Sequence, residues 1–209
     1  MKLSYIYILL LFIFHNAFSQ EAKKDSIIYL KEVISGEKSK EEIIKIKTKG
    51  EELASTFEGG IKSRICLVED IPAGNLKTVK LYFNNGLINL AKKSLNVKYE
   101  DTELKLVMYV DKDGKPGNLL VAEDMRFTVK KSHKGALELD LSALNIKAPE
   151  KFFIGIELVK ETAEYTPIVL KIVANSKGSS FDKSIKDKEW RENPLFPQQI
   201  KMELKIAAQ

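Results

Sequence analysis

The sequence is poor in the residues that build covalent and metal scaffolds. One cysteine in 209 residues excludes an intramolecular disulfide and any multi-cysteine zinc site. The two histidines, His15 and His133, are too few for a multi-histidine metal site. Arginine is equally scarce: 31 of the 34 basic residues are lysine, and only Arg64, Arg126 and Arg191 are arginine. Base-edge readout and phosphate forks draw heavily on Arg. The lysines are spread from Lys23 to Lys205 and interleaved with acids, as across 37–42. A mixed-sign pattern of that kind is a solvated surface, so the net charge of +5 does not point to a nucleic-acid partner.

Long apolar runs are also missing, with one exception at the start. Lys2 precedes an unbroken run of ten apolar or aromatic residues, 5–14, and Ala17 and Ser19 place small residues where a signal peptidase inspects them. A bilayer core needs about 20 apolar residues, and His15 and Asn16 end this run. Residues 1–19 are therefore expected to be a signal peptide cleaved before Gln20. Its removal takes Lys2 and His15 with it, so that 190 residues remain, the charge falls to +4, and His133 is the last imidazole. No cysteine stands near the cut, which argues against a lipid anchor. The expected location is periplasmic or extracellular, with no transmembrane segment in the mature chain.

What the mature chain has in abundance is period-two alternation. Ile200, Met202, Leu204 and Ile206 interleave with Lys201, Glu203 and Lys205, the pattern of a half-buried antiparallel strand. Leu104, Leu106, Met108 and Val110 form another inward row, as do Val79, Leu81 and Phe83, and Ile168, Leu170 and Ile172. Strands are also expected at Ile43–Lys47, Ile61–Val68, 126–130, 136–141 and 152–159, with one more in 27–33. Turn chemistry separates them at 84–86, 113–117, 134–135, 148–149 and 177–178. The stretch 86–102 reads as an insertion with one or two helical turns. About nine or ten strands without a long amphipathic helix predict an all-β fold. The expected architecture is an antiparallel, jelly-roll-like β-sandwich filling 20–209 as one domain, with 20–42 a peripheral N-terminal segment.

Few constellations carry chemistry. Asp111, Lys112, Asp113 and Gly114 begin like a calcium loop, but Lys115 and Ala122 occupy positions where oxygen ligands belong, so a tight hairpin turn is expected. Cys66, among Ile65, Leu67 and Val68, reads as a small core residue. A serine triad would have to recruit His133 from the basic turn 130–135, a poor place for a buried orienting acid. Paired carboxylates remain, with Asp140 and Glu157 the candidates. Glu157 lies on the strand face opposite Ile154, Ile156 and Leu158, and Asp140 has the competing task of organising the turn through Ser142. Trp190, the only tryptophan, suits either stacking on a sugar ring or anchoring the C-terminal connection on the sandwich.

Three successive segments, 110–120, 137–142 and 148–157, with supporting matches at 28–33 and 184–190, resemble exported Bacteroidota proteins called carboxypeptidase-like regulatory domain-containing proteins. The likeness spans most of the mature chain and rests on core and turn patterns. It implies a β-sandwich on the secretory route and no peptidase activity. The small β-sandwich domain that precedes this region in many such proteins is not expected in a chain of this length, and nothing resembles an outer-membrane receptor barrel.

The expected function is a non-catalytic exported module that binds a glycan or an envelope protein at or outside the cell surface, with Trp190, Glu157 and Asp140 as candidate binding residues and no cofactor or metal. Two rivals are a glycan-acting hydrolase with paired carboxylates and a structural envelope subunit that donates or accepts an edge strand.

Overall fold

A computed structural model of the chain describes residues 27–33, 42–56, 60–83, 100–133, 135–161, 168–174, 179–187, 189–193 and 198–208. The expected signal segment 1–19 and residues 86–99 of the expected insertion 86–102 lie outside the described residues, as do the turns at 84–86 and 177–178.

Two sheets pack face to face, as the alternation requires. The first contains β1 (Ile27–Tyr29), β4 (Ile61–Val68), β6 (Thr102–Lys112), β7 (Lys115–Leu119), β8 (Asp124–Val129), β10 (Phe152–Leu158), β12 (Ser180–Ser184) and β13 (Arg191–Glu192). Its order is β1-β8-β6-β10-β4-β12-β13, with β7 also paired to β6. The second contains β2 (Ile43–Lys47), β3 (Glu51–Thr56), β5 (Gly74–Phe83), β9 (Gly135–Asp140), β11 (Val169–Ala174), β14 (Gln198–Ile200) and β15 (Met202–Ala208). Its order is β14-β11-β5-β15-β2, with β3 on β11 and β9 on β5. Every pair is antiparallel except β1 with β8, which run parallel. Part of the N-terminal segment is thus an integral edge strand, and Leu30 packs against the core.

The core is one cluster fed by the inward rows of both sheets. Leu104, Leu106 and Met108 from β6 and Ile154 and Ile156 from β10 meet Leu81, Leu139, Ile172 and Leu204 from the other sheet, all essentially excluded from water. Val110, expected to continue the β6 row, lies past the end of the core and is 39 % exposed. In β5 the register steps from Thr78 opposite Lys205 to Leu76 opposite Ile206, so Lys77 is the extra residue of a bulge. This bulge lets Leu76 and Val79, three positions apart, both face inward. Cys66 is fully buried and its Sγ faces the Ile154 carbonyl at 3.7 Å. Burial pushes its thiol up to about 12, against the opposing effects of the Ile200 backbone and Arg64, so it is a core residue as expected.

The number of strands exceeds the nine or ten expected. β3, β7, β12 and β13 lack an apolar alternation of their own, and their pairing comes from neighbouring backbones. The expected C-terminal strand is divided at Lys201 into β14 and β15. The turn at Asp113 and Gly114 is a two-residue hairpin with Lys112 opposite Lys115 and both turn residues at positive φ. Asp111 spends a carboxylate oxygen on the Gly114 N–H at 3.0 Å, a hairpin cap that explains the calcium-like spacing. Among the described residues no helix is long and apolar enough to cross a membrane.

Candidate functional site

The outward face of the first sheet carries three registered rows, two residues apart along each strand. Tyr109, Phe153 and Leu67 form one. Val107, Gly155, Ile65 and Phe181 form the next. Tyr29, Arg126, Lys105, Glu157, Ser63 and Lys183 form the third. The first two rows hold a second apolar cluster, Ile65, Leu67, Val107, Phe153 and Phe181, all buried although they point away from the core. Phe153 and Phe181 meet edge to face with centroids 5.3 Å apart.

Trp190 is part of the cover over this cluster. It packs against the apolar strip together with Tyr109, its ring edge-on to the tyrosine at 5.3 Å. Lys183 Nζ lies 4.6 Å from the indole centroid, a cation–π contact. The tryptophan therefore anchors the connection between β12 and β13 on the sheet, the second of the two roles its sequence context suggested.

Beside Tyr109 the face stays open. A recess of about 280 Å³ is lined by Tyr109, Lys105, Leu119, Glu123, Asp124 and Glu157, among others. β6 supplies Lys105 and Tyr109, β10 supplies Glu157, and the end of β7 supplies Leu119, so three paired strands fix the walls. Burial pushes the Tyr109 hydroxyl up to about 12, and the neighbouring Glu157 carboxylate adds to this. The phenol stays protonated and is a hydrogen-bond donor at any physiological pH. The ion pair of Glu157 is with Lys62, at 3.8 Å, while Lys62 itself sits closer to Glu161, at 2.9 Å. Asp124 Oδ2 accepts from Arg126 Nη2 at 2.8 Å and faces Lys105 Nζ at 3.2 Å. Burial works against the charged form of Asp124, yet these partners hold its carboxyl below the ordinary range. Its other oxygen, Oδ1, is buried without a hydrogen-bond partner among the described residues.

Asp140 is elsewhere. It ends β9 on the outward face of the second sheet, opposite Thr78, and its Oδ1 accepts the Ser142 N–H at 2.9 Å. That bond opens the short 3-10 turn Ser142–Leu144, the local role its spacing to Ser142 suggested. Asp140 and Glu157 thus face away from each other on opposite sides of the sandwich and cannot flank one glycosidic bond. Glu157 and Trp190 share a face, with Tyr109 packed against the indole and lining the same recess as Glu157. The inward alternation of β6 does not announce Tyr109; the signal for it in the sequence is the outward pair Val107 and Tyr109 beside Lys105 in a half-buried strand. His133 presents its ring to the edge of Phe83 at 5.9 Å, on β5 of the other sheet.

No family model, curated protein or solved structure matches this chain.

Proposed function

We propose that the protein is an exported, non-catalytic β-sandwich module whose Tyr109 recess takes a glycan at or outside the cell surface. The observation that carries this reading is the composition of the recess: an aromatic wall from Tyr109 beside the carboxylates of Glu157 and Asp124 and the ammonium of Lys105. A sugar ring offers an apolar C–H face to an aromatic side chain and hydroxyls to carboxylate and ammonium groups. A recess of this size holds a few sugar units rather than a protein domain. The walls belong to paired strands, so the site exists before ligand arrives and little ordering entropy is lost on binding. Asp140 lies on the opposite face from Glu157, and the carboxylates within the recess are engaged by cations, Asp124 by Arg126 and Lys105 and Glu157 by Lys62, which favours binding over hydrolysis. The signal-like segment 1–19, ending before Gln20, and the resemblance to exported sandwich proteins support a periplasmic or extracellular location.

The test is unfolding temperature and calorimetric titration against a panel of oligosaccharides. A bound glycan raises the midpoint by mass action, and Tyr109→Ala is expected to weaken binding at least about tenfold. A panel that leaves the midpoint unmoved, or a Tyr109→Ala protein that binds as well as the parent, overturns the assignment.

A further inference from the structure

A second opening differs from the recess in its chemistry and in the strands that line it. A cleft of about 480 Å³ runs between the sheets where β2 faces the end of β4, with Ile46, Leu67, Val68, Met202 and Leu204 as its apolar lining. Among the described residues β2 is the last strand of its sheet and pairs only with β15. Thr48 N–H donates to the Met202 carbonyl at 3.1 Å, so Thr48 and, two residues back, Ile46 and Ile44 direct their backbone groups toward β15. The N–H and C=O groups of Lys45 and Lys47 must then point to the free edge.

The burial is uneven across this pair. Met202, Leu204 and Ile206 of β15 are at most 1 % exposed, whereas none of Ile43, Ile44 and Ile46 in β2 is buried. The sandwich therefore leaves apolar side chains of its last strand half covered, and one more strand would finish that cover. The charges select which strand. Lys45 and Lys47 project outward on the edge, and Lys49 follows them in the same lining. Lys47 pairs with Glu203 at 3.1 Å, while Lys45 and Lys49 have no ion pair among the described residues. Edge lysines repel another copy of β2 but pair favourably with acids placed opposite them. Acids aimed inward would meet Glu69 and Asp70 at the cleft mouth, so the inward positions call for apolar residues.

We propose that the free edge of β2 accepts an extended segment of a partner protein in which acidic and apolar residues alternate. Backbone hydrogen bonds at Lys45 and Lys47 supply the affinity, and the apolar residues pack over Ile44 and Ile46.

The test uses the full chain with two synthetic peptides, one alternating Val and Glu and one alternating Val and Lys. The Val/Glu peptide is expected to bind at least about tenfold more tightly and to slow hydrogen exchange at the Lys45 and Lys47 amides. Lys45→Pro removes a donor from the free edge alone and is expected to abolish binding with little change in the unfolding midpoint. If that variant does not fold, Lys45→Glu with Lys49→Glu decides, because it should reverse the peptide preference. Equal binding of both peptides, no binding, or protection away from these amides overturns the proposal. So does protection already present in the free monomer, which would mean the chain's own residues occupy the edge, and so does protection that grows with protein concentration, which would mean a second copy does.

Discussion

The indole of Trp190 stands edge-on to Tyr109, centroids 5.3 Å apart, and so joins the β12–β13 connection to the outward face of the first sheet. The cluster beneath, with Phe153 fully buried, owes part of its exclusion from water to this cover. Trp190→Ala is expected to lower stability by about 2 kcal/mol, less than for a fully buried tryptophan because the ring is only half covered. Urea unfolding should show a lower midpoint, and hydrogen exchange should rise first in 185–187. Trp190→Phe should recover most of the loss. An unchanged midpoint in the alanine variant would show that the cluster is covered without it.

Glu138 predicts how stability responds to acid. Burial opposes its charge, but Lys205, Lys80 and Thr78 all donate to the carboxylate, and together they bring its pKa from the ordinary 4.5 down to about 2. A folded value below the unfolded one stabilises the fold fully above the unfolded pKa, and that contribution is lost as pH falls through the folded value. The window is therefore about pH 4.5 down to 2. Solvent screening at this partly open site limits the contribution to about 1–2 kcal/mol. Urea midpoints measured from pH 7 to 2 should fall more steeply in the parent than in Glu138→Gln. Parallel curves for the two proteins would remove Glu138 from the acid response.

The inward rows were legible in the sequence because burial on one face writes itself as period-two alternation. Leu104, Leu106 and Met108, and likewise Met202, Leu204 and Ile206, occupy the core positions that their spacing predicts. Strands held by backbone pairing alone leave no such mark: Ser180–Ser184 contributes one apolar outward residue, Phe181, and takes its place from β4. The site was half legible for the same reason. Glu157 and Trp190 stood out singly, but their common face depends on the register of β10 against β6 and on where the β12–β13 connection crosses, both set by long-range pairing. Asp140 shows the converse. Its spacing to Ser142 announced a turn, and the turn is what it makes.

Gly155 tests that register directly. It sits mid-strand in β10 between β6 and β4, opposite Val107 and Ile65. A Cβ there would run into the Arg64 carbonyl oxygen and come within 2.6 Å of the Ile65 Cα. Both are backbone atoms of a central strand and have nowhere to move without breaking the β4 ladder, which also carries β12. Gly155→Ala is therefore expected to cost about 3 kcal/mol or more and, because β10 supplies Glu157 and braces Tyr109, to weaken glycan binding in whatever fraction folds. Gly60→Ala separates crowding from backbone strain. That glycine has positive φ, at 76°, but nothing within 4 Å of its would-be Cβ, so its cost should stay near the ~1 kcal/mol of a left-handed alanine. Comparing the two unfolding midpoints reads the difference; similar losses would mean that β10 relaxes away from β4 and that the close approach does not fix the register of the face.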